Sequence, residues 1–302
     1  MCKVNDVTYG LAMDFTVKTL ITGERVSQDD WTYEYFFDAM ERGNYDAIFP
    51  PEYLNDSRMT LMSEYLSKGW KDNYLINVKD PNKCIDEEKL TRALNLADKY
   101  GAGGDLYYDW RAAFQRGEVL CTDITLAGVT AVTYAKVHYG NDFSYVGYPA
   151  DNGGRHRVTD VYPIAIRKTA SEEEKEIAKA FLLYAMSYEG QLVSIDANMN
   201  FGITVRKDLF EDQVKKDVED YLFLIKADEG KEQAEKMRAP LNEDAECYKK
   251  LVYQATADKP LPSAIDDILW NELKDYFGGN ITREQLYDHL RNRIGLYLNE
   301  QL

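Results

Sequence analysis

The sequence predicts an α/β fold with an excess of helix, and three observations carry that prediction. Short β-type runs alternate with amphipathic helical runs through the first two thirds of the chain, and the last third is helical in pattern almost throughout. With 45% of its 302 residues apolar, the chain can bury a substantial core, as one large domain or two of ordinary size.

The elements follow in order. "WTYEYFFDAMERG" has Thr32 placed as an N-cap, Glu34 in the first turn and Gly43 as a stop, the signature of a short helix. "YDAIFPP" reads as a short strand closed by Pro50 and Pro51. "DEEKLTRALNLADKYG" places Leu90, Leu94 and Ala97 on one face behind the cap Asp86. "AFQRGEVLCTDITLAGVTAVTYAK" changes character at Gly117: a helix end gives way to a strand from Val119 to Ile124, then to small residues and a further helix. "SEEEKEIAKAFLLYAMSYEG" opens on a capping box, Ser171 with Glu174, and carries apolar residues at 177, 178, 181, 182 and 185. Residues 207–257 are charged and helical in pattern, a solvated helix face. "NITREQLYDHLRNRIGLYLNEQL" opens with a second capping box, Thr282 with Gln285.

Composition removes several classes of function. Lys and Arg number 36 against 52 Asp and Glu, a net charge of -16, and so acidic a surface repels nucleic-acid phosphates and anionic lipid. Cys2, Cys84, Cys121 and Cys247 lack the paired spacing of a zinc or redox site, and His138, His156 and His289 are widely separated, so no metal is expected. Cys121, inside an apolar run, reads as a small buried hydrophobe. No stretch approaches the ~18 apolar residues of a membrane span, and "MCKVNDVTYG" lacks the apolar core of a secretory signal.

Chemistry-bearing motifs are sparse. "YGAGGD" at 100–105 lacks the Gly-Lys-Ser/Thr ending of a phosphate loop and reads as a helix stop and turn. No Gly-x-Ser-x-Gly elbow occurs. Asp109 with Asp123, or Asp151 with Asp160, could form the carboxylate pair of a glycosidase, so that enzyme class stays open as an alternative. The 23 Tyr are twice the Phe, and tyrosine suits sugar faces and wet clefts. Phe15, Trp110, Tyr148 and Tyr162 lie next to loops. The loop 150–160, "ADNGGRHRVTD", gathers Asp151, Asn152, Arg155 and Asp160 between two apolar runs. It reads either as a connector in which Gly153 and Gly154 serve turn geometry, or as a recognition loop.

Four segments in series resemble the extracellular solute-binding proteins of bacterial ABC importers, the carbohydrate-type family 1. "AFQRGEVLC" resembles that family's helix-to-strand passage. "FSYVGYPADNGGRHRVTDVYPIAIRKTASEEEKEIAKAFLLYAMSYEGQ" resembles its block of strand, glycine loop, strand and Glu-Gly-Gln helix end. "VTYGLAMDFTVKTLITGERV" with the helix start at Trp31 and Thr32 is similar to the crossover between its lobes, and "ILWNELKDYFGGNITREQLYDHLRNRIGLYLNEQ" to the C-terminal helices of its larger members.

The resemblance implies a type II periplasmic-binding-protein-like fold of two α/β lobes, its first lobe incomplete and its C-terminal lobe rich in helix. Residues 1–148 would be the crossover and C-terminal lobe, 149–205 a return to the first lobe, and 206–302 further C-terminal-lobe helices. It implies a non-enzymatic monomer that captures a carbohydrate between lobes and delivers it to the membrane subunits of an ABC permease, with no cofactor. A sensory protein feeding a two-component system is the other reading within this fold. The full-length form would be an extracellular lipoprotein; Cys2 has no apolar stretch before it and does not match the lipidated cysteine. The expected ligand contacts are Phe15, Trp110, Asp123, Tyr148, Asp151, Asn152, Arg155, Asp160 and Tyr162.

Overall fold

A computed structural model of the chain describes residues 2–4, 7–48, 57–67, 74–100, 109–159, 163–196, 202–257 and 262–301. Asp160 and Tyr162, the end of the expected strand at 49–51 and the glycines at 101–104 lie outside them. Backbone contacts divide the chain into two units, each assembled from three stretches of sequence. The first comprises Met1–Thr19, Ile124–His138 and His156–Thr256; the second comprises Leu20–Asp123, Tyr139–Arg155 and Ala257–Leu302. Residues 124–138 and 206–256 thus share a unit with the segment 156–205, a different grouping from the lobes that the resemblance implies.

In the second unit, helix α1 (Tyr33–Arg42) starts where the Thr32 side chain accepts from Tyr35 N–H, as the cap signal predicts. Its further α-helices among the described residues are the four-residue α2 (Ser57–Thr60), α3 (Glu87–Tyr100), α4 (Trp110–Gln115), α10 (Ser263–Phe277) and α11 (Arg283–Gln301). Trp31 just before α1 and Phe36, Phe37 and Met40 on it meet Leu94 of α3, Leu269 and Leu273 of α10, and Leu290 and Ile294 of α11 in one apolar core. On its surface Arg92 of α3 reaches Glu34, Asp38 and Glu41 of α1 at 2.6, 2.9 and 2.8 Å, and its guanidinium lies 4.8 Å from the Phe37 ring centre. Of the strand expected at 45–51, the described residues 45–48 form one bridge, Ala47 to Val119. The next strand begins two residues later than expected.

The first unit holds β1 (Cys2–Val4), β2 (Val7–Ala12), β6 (Arg157–Thr159), β7 (Pro163–Ile164), β8 (Ile203–Thr204), α5 (Thr130–Tyr139, to His138), α6 (Glu172–Ala185), α7 (Tyr188–Asp196), α8 (Lys207–Asp228) and α9 (Lys231–Gln254). Strands β3 (Asp14–Thr22) and β4 (Cys121–Leu126) each cross the boundary between units. Asp14 and Phe15 of β3 pair with β8, Thr16 to Lys18 with β6, and Ile21 and Thr22 with β5 (Ser144–Tyr145). A second sheet has the order β1-β2-β7.

Helices α8 and α9 pack through Val214, Val218 and Leu222 on one side and Leu241, Ala245 and Tyr248 on the other, so the charged segment 207–257 has one buried stripe per helix. Three buried polar residues tie α7 and β8 to α8. Thr204 Oγ1 donates to Gln191 Oε1 at 2.7 Å, Thr204 N–H donates to Gln213 Oε1 at 2.9 Å, and Gln213 Nε2 donates to Gly202 O at 3.0 Å.

Candidate functional site

The loop that drew attention in the sequence is a closed hairpin of the second unit. Tyr148 and Arg155 exchange both backbone hydrogen bonds at 2.8 Å, and Gly154 N–H donates to Gln28 O at 2.7 Å. Gly147 and Gly153 have φ of +75° and +96°, a region costly for other residues. A Cβ on Gly154 would stand 1.7 Å from Val146 O. The chain then passes to the first unit between Arg155 and His156.

This geometry places the sequence-expected residues. Asp151 and Asn152 are exposed at the hairpin tip, and Arg155 is half-buried at its base. Tyr148 is 5% exposed, its ring set edge-on to Tyr65 at 5.4 Å inside the core. Phe15 is half-buried on β3 beside Ile203. Trp110 opens α4 behind the cap Asp109, whose carboxylate accepts from Ala112 N–H, and Asp123 is half-buried in β4. The hairpin brings Tyr148, Asp151, Asn152 and Arg155 together; Phe15 belongs to the other unit, and Trp110 and Asp123 stand on separate elements. Among the described residues no group of His, Cys, Asp or Glu is placed to hold a metal ion, and no helix is long and apolar enough to cross a membrane.

A cavity of about 550 Å³ in the second unit is framed by charged side chains such as Glu41, Glu88 and Arg92. Another, about 560 Å³, is lined by Lys79, Lys83 and Lys89 with Tyr74, whose ring is already covered by Phe37 at 4.6 Å and Lys89 at 4.9 Å.

The concavity with chemistry suited to a neutral polar ligand lies where β4 turns into α5. Thr125, Thr130, Thr133, Tyr134, His138 and Tyr221 line a space of about 480 Å³, within the range of small-ligand sites and wholly inside the first unit. Thr125 is exposed, Tyr134 is 49% exposed, and the Tyr134 and His138 rings, one helical turn apart, have centroids 3.8 Å apart. Hydroxyls can donate and accept in turn, and an exposed aromatic ring offers a flat apolar face, chemistry that suits a polyhydroxylated molecule.

Two carboxylates from distant sequence build this wall. Asp217 of α8 accepts from Val129 N–H at 3.4 Å, and a Cβ on Gly128 would stand 2.9 Å from the same oxygen. Burial pushes the Asp217 carboxyl up to about 6, against the opposing pull of the Val129 N–H. Asp244 of α9, 2% exposed, accepts from Thr133 Oγ1 at 2.7 Å and pairs with Lys136, which fixes α5 on α9. None of the seven sequence-expected residues that the structure describes lines this wall. The small residues at 127–131 were its only local trace, because its supports come from α8 and α9.

No protein-family model matches the chain, and no curated protein matches it. Solved structures do. A chitin oligosaccharide binding protein matches over 99% of this chain and 74% of its own, with a TM-score of 0.53 at 14% identity. A cyclo/maltodextrin-binding protein complexed with maltotetraose matches over 98% and 72%, with a TM-score of 0.53 at 13% identity. The cyclic alpha-maltosyl-1,6-maltose binding protein from Arthrobacter globiformis matches over 98% and 74%, with a TM-score of 0.52 at 12% identity. The fold is therefore the type II periplasmic-binding-protein fold of ABC sugar-binding proteins, and the chain spans about three quarters of the length of these neighbours. The neighbours are described as binding proteins, not as enzymes.

Proposed function

We propose that this protein binds an oligosaccharide and delivers it, chemically unchanged, to the membrane permease of an ABC import system. The observation that carries the reading is the wall at the β4–α5 turn, where threonine hydroxyls stand beside Tyr134, His138 and Tyr221 in a space of about 480 Å³. The fold supports it, since the structural neighbours named above are binders of chitin oligosaccharides and maltodextrins. Such a protein contributes no bond-breaking chemistry: binding energy goes into favouring the liganded state that the permease accepts. It works as a monomer at the outer face of the membrane. Phe15, in the same unit as the wall, is proposed as a further ligand contact.

The test is isothermal calorimetry against maltodextrins and chito-oligosaccharides, with reducing-sugar release followed in parallel. Saturable binding without turnover is the expected result. Absence of heat and of thermal shift across the panel rejects the reading, and release of reducing sugar would restore the glycosidase alternative.

A further inference from the structure

Gly128 lines the space at the β4–α5 turn, and what its lack of a side chain provides there is room. It does not have a positive φ, so backbone conformation does not call for glycine at this position. A Cβ at 128 would instead stand 2.9 Å from Oδ2 of Asp217. The missing side chain therefore leaves the Asp217 carboxylate at the floor of the space, where any other residue on the turn would cover it.

Asp217 stands on α8, and Tyr221, one turn further along the same face, lines the space itself. The carboxylate is half-buried, and the hydrogen bond that it accepts from Val129 N–H is long, at 3.4 Å. An ionised carboxylate offers about four acceptor positions on its two oxygens, so most of that capacity is unused within the protein. The neighbouring cation does not absorb it, since Lys216 pairs with Asp220 at 2.7 Å. Besides these two charges on α8 and the Val129 N–H on the turn, the Tyr248 hydroxyl of α9 faces it, buried and with no hydrogen-bond partner among the described residues. One weak donor thus serves a group whose charge is disfavoured by burial, and a ligand that brings hydroxyl donors meets an existing need.

We propose that Asp217 is itself a ligand-binding residue, the acceptor for a hydroxyl that an oligosaccharide presents past Gly128, beside the rings of Tyr134 and Tyr221. This assignment rests on the sugar-binding reading above and adds to it the group that selects for a hydroxyl donor. A hydroxyl bonds more strongly to the ionised carboxylate than to the neutral acid, so ligand and proton compete for Asp217. Affinity is therefore highest above about pH 6 and falls as the pH drops below it. A carboxylate that only propped the turn would show no such competition, because an amide at 217 offers Val129 N–H the same kind of oxygen.

The experiment is calorimetry of wild type, Asp217→Asn and Asp217→Ala with the maltodextrins and chito-oligosaccharides named above, at pH 7 and pH 5, with thermal melts in parallel. At pH 7 Asp217→Asn should weaken the tightest ligand about tenfold without lowering the melting temperature, and Asp217→Ala at least as much. Between pH 7 and pH 5 wild type should lose affinity several-fold more than Asp217→Asn. His138 can titrate in the same interval, but it is present in both proteins, so the difference between their profiles isolates Asp217. Equal affinities at pH 7, or parallel pH profiles, overturn the inference and leave Asp217 a support of the turn, with the sugar-binding reading intact. Absence of binding by wild type to every sugar of the panel overturns the inference and that reading together.

Discussion

The hydroxyl of Thr19 and Nδ1 of His156 lie 2.7 Å apart, both side chains fully buried, and His156 Nε2 has no hydrogen-bond partner among the described residues. A buried imidazole with one nitrogen satisfied is held neutral. Burial, aided by the nearby Lys250 charge, depresses its pKa from the ordinary 6.5 to about 4. Because the folded value lies below the unfolded one, the stability that His156 contributes is complete above pH 6.5 and is lost as pH falls toward 4. In His156→Gln, urea unfolding between pH 7 and pH 4 should lose less stability than wild type by up to about 3 kcal/mol. Equal pH slopes in the two proteins would refute this.

Asp217 runs the other way. Its folded pKa of about 6 exceeds the ordinary 3.8, so its favourable contribution is complete below pH 3.8 and disappears as pH rises through 6. Asp217→Asn keeps an oxygen for the Val129 N–H without the buried charge. It should stabilise the protein at pH 7 by roughly 1–3 kcal/mol and have little effect at pH 4. Thermal melts at both pH values decide it; destabilisation at pH 7 would show that the charge itself is needed.

The hairpin 148–155 depends on close backbone approach. Gly154→Ala drives a methyl into Val146 O, a backbone atom that cannot step aside, and should destabilise by at least about 3 kcal/mol. Gly23→Ala, with nothing within 4 Å of the added carbon, should be neutral or stabilising by up to about 1 kcal/mol. Denaturation midpoints of the two variants measure the contrast.

If the β4–α5 wall binds sugar, Tyr134→Ala and Tyr221→Ala should each weaken affinity about tenfold, close to 1.4 kcal/mol, while leaving the melting temperature within about 2 °C. Calorimetry with the best ligand from the panel provides the number. Unchanged affinity in both variants would move the binding site elsewhere.

The fold's helices were legible wherever the signal was local. Thr32, Ser171 with Glu174, and Thr282 with Gln285 close the caps that their spacing announced. Cys121, read as a buried hydrophobe, is fully buried, and burial raises its thiol pKa. What the sequence could not supply were partners. Periodicity identified an apolar face on α6 but not that Ile177 and Phe181 would stand uncovered. Tyr148 sits beside a polar loop in sequence, yet Tyr65 draws it into the core. The candidate site was hidden because Asp217, which props its turn, lies 88 residues from Val129 along the chain.

The boundary inside β3, between Thr19 and Leu20, dictates an order of assembly. Neither unit is a contiguous stretch: one cannot close until Thr256 has left the ribosome, the other until Leu302 has. Strand β3 must wait, its ladder groups open, for β6 at Arg157–Thr159 and β8 at Ile203–Thr204. Such distant pairings make folding slow, and the nascent chain exposes a sticky edge until they form, an opening that a chaperone would have to guard.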